Sequence, residues 1–284
     1  MVQQLGWAIA LCTGAAGAGV APPPAVTLQQ DANGTWWFRA GRAAGASTRF
    51  TQQRFVSAGV DHVMWTGDNF GAPSGNEYER AVARKYGGNR TAWAEAALDR
   101  IKTANFNTLG SWSSATCPDC WEKDGAAQAA AERRGMYYTP IVLFSHQYNM
   151  RFNTTGFPDV FDAAFNESAW ETARATCGPR AHSSAVLGYF LDNEDSCPPY
   201  PEPSGMQLHG ALASFFLLPT SSPGHRLALR YRAQHSTGSK AEQAAIRAEF
   251  AALVARQYFQ ITSAAIRHFD PHHLVLGCKF TNGD

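Results

Sequence analysis

The sequence predicts an α/β fold built on parallel strands, and three observations carry that expectation. Short apolar runs alternate with longer segments of helical spacing, β then α, through most of the chain. One run, Ala185-Val186-Leu187-Gly188-Tyr189-Phe190-Leu191, stops abruptly on Asp192-Asn193-Glu194, the pattern of a strand buried on both faces with chemistry at its tip. No Gly-x-Gly-x-x-Gly or P-loop pattern follows any strand, which argues against a nucleotide-binding sheet. The alternation implies right-handed crossovers, arranged as a barrel or as an open doubly wound sheet.

The chain has 284 residues, a net charge of +1 and 45% hydrophobic residues, enough for a sizeable core and without the charge excess that suits nucleic acid. Leu5 to Ala21 is an apolar, Ala- and Gly-rich run ending in Gly19-Val20-Ala21, so residues 1–21 are expected to be a signal peptide and the protein secreted. No segment approaches the length of a membrane span. Sequons at Asn33, Asn89, Asn153 and Asn166 permit glycosylation. Of six cysteines, Cys12 would leave with the signal peptide. Cys117, Cys120, Cys177 and Cys197 lie near expected loop connections, where disulfides could brace them with the pairing left open, and Cys278 reads as a buried free thiol. Cys117-Pro118-Asp119-Cys120 has no second close pair, so neither a metal nor a cofactor is implied.

In order, residues 22–50 form a lead-in in which Asn33-Gly34 turns into an aromatic strand carrying Trp36, Trp37 and Phe38. Residues 51–284 hold the main fold. Phe55 to Val63 reads as its first strand, Met64 to Asn76 as a long loop bearing Trp65, Asp68 and Asn69, and a helix follows from Thr91, placed as its cap. Phe106 to Trp112 is the second strand, Gly125 to Arg134 a helix, Met136 to Phe144 the third strand ending near His146, and Asp162 to Thr176 a helix. The run at 185–194 is the fourth strand. A Pro-rich insertion from Asp195 to Gly205 and a helix at Leu208 to Leu218 come next, then a helix opened by Ser222-Pro223. An amphipathic helix spans Lys240 to Phe269, stopped by Asp270-Pro271, and His273 to Phe280 is the fifth strand.

In a barrel the active site gathers at the C-terminal ends of the strands, so a carboxylate just past such an end is a candidate catalyst. Retaining glycoside hydrolysis needs two carboxyl groups about 5–5.5 Å apart, one protonated to assist the leaving oxygen and one ionised to attack the sugar. Glu194 fits the first role, because burial beside groups such as Tyr189 and Phe190 would raise its pKa. Asn193 would hydrogen-bond the sugar hydroxyl next to the reacting carbon. Trp65 and Trp112 are candidate platforms for sugar rings, and His62, Asn69 and His146 candidate contacts to hydroxyls. Lys279 stands at the tip of the fifth strand, read as solvated.

Phe106-Asn107-Thr108-Leu109-Gly110-Ser111-Trp112-Ser113, then Leu187 to Glu194, then His272 to Phe280 resemble successive signatures of the β-agarase-like glycoside hydrolases. Trp36-Trp37, Gly59-Val60-Asp61-His62 and the Ala213 to Leu227 region look similar too. The resemblance implies a (β/α)8 TIM barrel, here a partial barrel of about strands one to five, in a retaining enzyme whose acid/base Glu follows an Asn at the end of strand four. It therefore implies Glu194 as acid/base, Asn193 as its sugar-positioning neighbour, a β-linked galactan-type polysaccharide as substrate, and no cofactor. Two departures stand out. The family follows Asn-Glu with a Trp-containing stretch where this chain has Asp195-Ser196-Cys197-Pro198-Pro199, which leaves the polysaccharide open. The family's nucleophile Glu on strand seven has no counterpart, so the expectation is a barrel incomplete at its C-terminus and inactive by itself. A non-catalytic or degenerate carbohydrate-binding barrel and a β-galactosidase-type exo-glycosidase are the alternatives. The oligomeric state is left open.

Overall fold

The computed structural model describes residues 26–41, 52–67, 76–114, 125–154, 156–193, 211–234 and 238–278. The signal-peptide, Asn69, Glu194, Lys279, Cys117, Cys120 and Cys197 expectations fall outside them.

The lead-in is a three-stranded antiparallel sheet of β1 (Val26–Gln30), β2 (Trp36–Gly41) and β3 (Gln52–Phe55). Its first turn forms as the Asn-Gly signal suggested: Asp31 Oδ1 accepts from the Asn33 and Thr35 amides, and Gly34 takes φ +81°. Phe55 was expected in the first core strand. It instead ends β3, and its ring meets Tyr137 edge-on at 4.7 Å, so the small sheet docks on the larger one.

The main fold runs β4 (Gly59–Val60), α1 (Glu77–Tyr86), α2 (Arg90–Thr103), β5 (Thr108–Leu109), α3 (Ala126–Arg134), β6 (Tyr137–Tyr138), β7 (Ile141–Val142), α4 (Phe144–Phe152), α5 (Ala163–Thr176), β8 (Gly188–Leu191), α6 (Ala211–Phe216), α7 (Pro223–Gln234), α8 (Lys240–Phe269) and β9 (Leu274–Cys278). β4 pairs with β5, β5 with β6, β7 with β8 and β8 with β9, every pair parallel. β6 and β7 are two halves of the expected third strand. Pro140 lacks an amide hydrogen to continue the ladder, and there the strand exchanges one neighbour for the other. Before the break the Thr139 amide donates to Leu109 O; after it Pro140 O accepts from Phe190 N, and a bridge between Tyr138 and Val186 joins the two sheets. The strands therefore lie side by side in sequence order, without the reversal that a doubly wound sheet requires. Among the described residues they do not close into a barrel.

Helices cover this sheet through apolar stripes. α2 buries Trp93, Ala94, Ala97 and Leu98, and its cap is Asn89 rather than Thr91: Asn89 Oδ1 accepts from the Ala92 amide. α5, capped by Asp162, packs against α8 and buries Phe165, Ala169 and Ala173. α8 opens on a capping box between Ser239 and Glu242 and buries Ile246, Phe250, Val254, Tyr258, Ala265 and Ile266, spaced by three or four residues along most of its length. Tyr258 meets Asp192 just past the end of β8, while Asp270, the residue after α8, meets Tyr189 near the start of β8. The helix thus runs antiparallel to the strand. At a rise of 1.5 Å per residue, the eighteen residues before Tyr258 run about 27 Å along the helix, on the side away from Asp270. Phe215 of α6 and Tyr231 of α7 pack on Phe250 in that stretch.

At the opposite end of the strands, the wholly buried Asp270 carboxylate accepts from Tyr189 OH at 2.6 Å and from the His272 and His273 amides, and pairs with His273 Nδ1 at 2.6 Å. His273 Nε2 faces Ser183 O at 2.9 Å. This cluster ties α8, β8 and β9 together on the face of the sheet remote from the strand tips. Cys177, a candidate for bracing loops through a disulfide, lies beside it as a free and buried thiol.

Candidate functional site

Where parallel strands stand in sequence order, their C-terminal ends form one rim, and the residues just past those ends are brought together. Past β4 come Asp61 and His62; past β5, Gly110 to Ser114; past β7, Phe144 and Ser145; past β8, Asp192 and Asn193. Hydrogen bonds stitch neighbouring tips. Asp61 Oδ1 accepts from Trp112 N at 2.8 Å and from His62 N at 2.9 Å. Ser113 Oγ accepts from Val63 N, and Ser114 Oγ from Trp65 N. Gly110 makes the first contact possible, since a Cβ there would lie 3.0 Å from the Asp61 carboxyl carbon.

The tip of β8 is held more firmly. Asp192 adopts φ +46°, a left-handed conformation uncommon for a residue with a side chain. Its amide still donates to Val142 O, which keeps it in register with β7. Its buried carboxylate accepts from Ser145 N at 3.0 and 3.1 Å, from Ser145 Oγ at 2.8 Å and from Tyr258 OH at 2.6 Å. Ser145 lies in the first turn of α4, whose own cap residue, Leu143, has no side chain able to accept. Asp192 supplies that cap from the neighbouring strand, with its negative charge at the positive end of the helix dipole. Complete burial, the Asp192 charge and the adjacent Cys278 thiol push the Tyr258 phenol well up, so it stays protonated and donates. Burial and the same carboxylate push Cys278 up to about 12.

Asn193 follows directly and is buried, 7% exposed, at this rim. Trp112 is half-buried two positions beyond Gly110, its amide fixed by Asp61. His62 is exposed beside Asp61, its Nδ1 3.7 Å from the Asp61 carboxylate. Two placements depart from the sequence reading. His146 is in the first turn of α4, exposed, because the third strand ends at Val142 and the chain turns at once into a helix. Trp65 is only 3% exposed, its ring edge-on to Trp93 at 5.8 Å with the Arg90 guanidinium 5.2 Å from its centre. It packs in the core and presents no open platform. Asn193, Trp112 and His62 thus share one rim, and His146 follows Ser145 at the same rim from the first turn of α4. Sequence reasoning gives no role of its own to Asp61, which it places inside the first strand, or to Asp192, which it notes among the three polar residues at a strand tip; each is the first residue after an observed strand. Among the described residues no group of three His, Cys, Asp or Glu side chains could hold a metal, and no helix is long and apolar enough to cross a membrane.

The fold and rim define a mixed α/β protein with parallel strands in sequence order and polar residues gathered at their C-terminal ends. Among solved structures it is similar to the crystal structure of an agarase, AgWH50C, with a TM-score of 0.59 at 16% identity over 92% of this chain and 43% of that one. It is also similar to the structure of PfGH50B, with a TM-score of 0.51 at 17% identity over 92% of this chain and 47% of that one. The chain spans less than half the length of either. At these identities the likeness is one of fold. No protein-family model matches the sequence, and none of the curated proteins matches it.

Proposed function

We propose that the protein belongs to a retaining glycoside hydrolase acting on a β-linked galactan-type polysaccharide, with its strands forming about the first five positions of a (β/α)8 barrel. Glu194 is the general acid/base, Asn193 holds the hydroxyl beside the reacting carbon, and Trp112 and His62 line the approach. The observation that carries this reading is the place of Asn193, buried directly past the end of β8 at the rim that also holds Asp61 and Trp112. The fold likeness to an agarase supports the substrate class.

In the proposed chemistry Glu194 protonates the departing glycosidic oxygen and later removes a proton from the incoming water, while Asn193 donates to a 2-hydroxyl whose hydrogen bond strengthens as charge develops on the ring. Neither Asp61 nor Asp192 is proposed as the attacking carboxylate. Both are engaged by donors that fix the scaffold, and the family resemblance places that group on a seventh strand. Isothermal titration with agarose-derived oligosaccharides tests the sugar-binding part of the reading, and Glu194→Gln in a form that hydrolyses galactan tests the acid/base part. Saturable binding is expected, weakened about tenfold by Asn193→Ala through loss of one hydrogen bond to the sugar. An absence of binding, or equal affinity in the variant, overturns it.

A further inference from the structure

A carboxylate immediately before a catalytic pair usually reads as solvated or as part of a cap. Asp192 is neither exposed nor capping its own segment. Three donors from two other elements converge on it, the α4 backbone amide (shared between both oxygens) and hydroxyl of Ser145 and the α8 phenol of Tyr258. They engage its carboxylate while its backbone stands at φ +46°, a left-handed conformation that Asp and Asn tolerate better than other side-chain-bearing residues. The register with β7 persists through the Asp192 amide, so the left-handed turn begins at Asp192 and sets the direction in which Asn193 leaves the strand. An extended residue at 192 would continue the pleat and send the next side chain to the other face of the sheet.

We infer that Asp192, clamped by Ser145 and Tyr258, is the positioning residue that turns Asn193 toward the sugar at the strand rim. The inference rests on the function proposed above and assigns to α8 a part in substrate recognition, through a side chain that touches no substrate. Tyr258 fits this role because it is fully buried and reaches from the middle of α8, the helix whose N-terminal half carries the α6 and α7 contacts at Phe250. The clamp links the α6–α7–α8 layer to Asp192, the residue before Asn193, through one hydrogen bond of 2.6 Å.

The test is a double-mutant cycle read by isothermal titration with an agarose-derived tetrasaccharide, each variant measured well below its own melting temperature. Tyr258→Phe removes one clamp and leaves the ring; Asp192→Asn is the second probe, since its amide cannot accept from all the donors now served. Each is expected to weaken binding about tenfold in the wild-type background and to have no further effect in an Asn193→Ala background, because the clamp acts through Asn193. A purely structural role would leave the affinity of the folded fraction unchanged. Wild-type affinity in both Tyr258→Phe and Asp192→Asn, or losses that multiply with that of Asn193→Ala, overturn the positioning role while leaving the function standing. Unchanged affinity in Asn193→Ala, or no binding by the wild-type chain, overturns the function and this role with it.

Discussion

Replacing Asp270 by Ala removes the acceptor at the centre of the buried cluster on the lower face of the sheet. The carboxylate is wholly buried and serves four donors: Tyr189 OH, His273 Nδ1 and the amides of His272 and His273. Tyr189 would keep only the 3.5 Å contact to Cys177 O, at the limit of a hydrogen bond. Stranding buried donors costs about 1–3 kcal/mol apiece, but the four share one site and do not add, so the bracket for breaking a buried pair, about 3–5 kcal/mol, is the better guide. At about 2–4 °C per kcal/mol for a chain of this size, the melting temperature should fall by roughly 6–20 °C. The pH dependence has a definite sign. Burial pushes the Asp270 carboxyl up, but the hydrogen bonds from His273 and Tyr189 and the charge of His273 outweigh it and hold the group below its ordinary value of 3.8. A carboxyl held lower in the folded state stabilises above its unfolded pKa, and that contribution is lost as pH falls through the folded value. In melts followed by circular dichroism, the gap between wild type and Asp270→Ala should therefore shrink as pH falls below about 4. A gap under about 2 °C at pH 7, or one that widens in acid, would refute this account of the cluster.

Three further expectations concern other parts of the chain. Gly188→Ala places a methyl 2.7 Å from Leu274 O and 2.8 Å from Leu274 Cβ, so β8 and β9 must separate. Overpacking of this kind costs about 1–3 kcal/mol, and an unchanged melting temperature would count against the close pairing of these strands. Burial and the nearby Asp270 charge push the Cys177 thiol far up, and Cys278 is up at about 12, so neither should react with a disulfide reagent at pH 8 in the folded protein, as read by peptide mass mapping. Rapid modification of Cys177 before unfolding would contradict the packing. In any form of the protein that hydrolyses galactan, Glu194→Gln should lower turnover of the natural substrate about 100- to 10,000-fold and spare the first step on an activated aryl glycoside, with equal activity removing Glu194 from the mechanism.

Long, periodic elements were legible in the sequence. α8 spans the residues its apolar stripe marks, and Ser222-Pro223 does open α7, Ser222 Oγ accepting from the His225 amide. What depends on distant partners was not. α1 buries no residue, so no apolar stripe announced it, although Asn76, Glu77, Glu79 and the closing Arg84, Lys85 and Gly87 form a full set of helix end signals. By sequence the start of α4 reads as the end of a strand, because Phe144 continues the apolar run and the helix cap comes from Asp192, 47 residues from Ser145. Trp65 and Trp112 looked alike as platforms; whether a Trp is walled in by another ring is decided by chain that folds back from elsewhere. Parallel strands alternating with helices were readable, but alternation and right-handed crossover left a barrel and a doubly wound sheet both open, and the sequential order was expected only from the family resemblance. The clamp on Asp192 was not readable, since its second anchor, Tyr258, is 66 residues downstream on what reads as an ordinary core face.

The central claim is that a sugar sits over the rim at Asn193. It is tested most directly by recording two-dimensional NMR spectra while titrating the chain with an agarose-derived tetrasaccharide, with the Asn193 side-chain amide assigned by loss of its signal in Asn193→Ala. The account predicts that the Asn193 amide and the Trp112 indole N–H shift together and saturate at one concentration. Saturable binding that leaves both signals in place would put the sugar elsewhere on the molecule and contradict it.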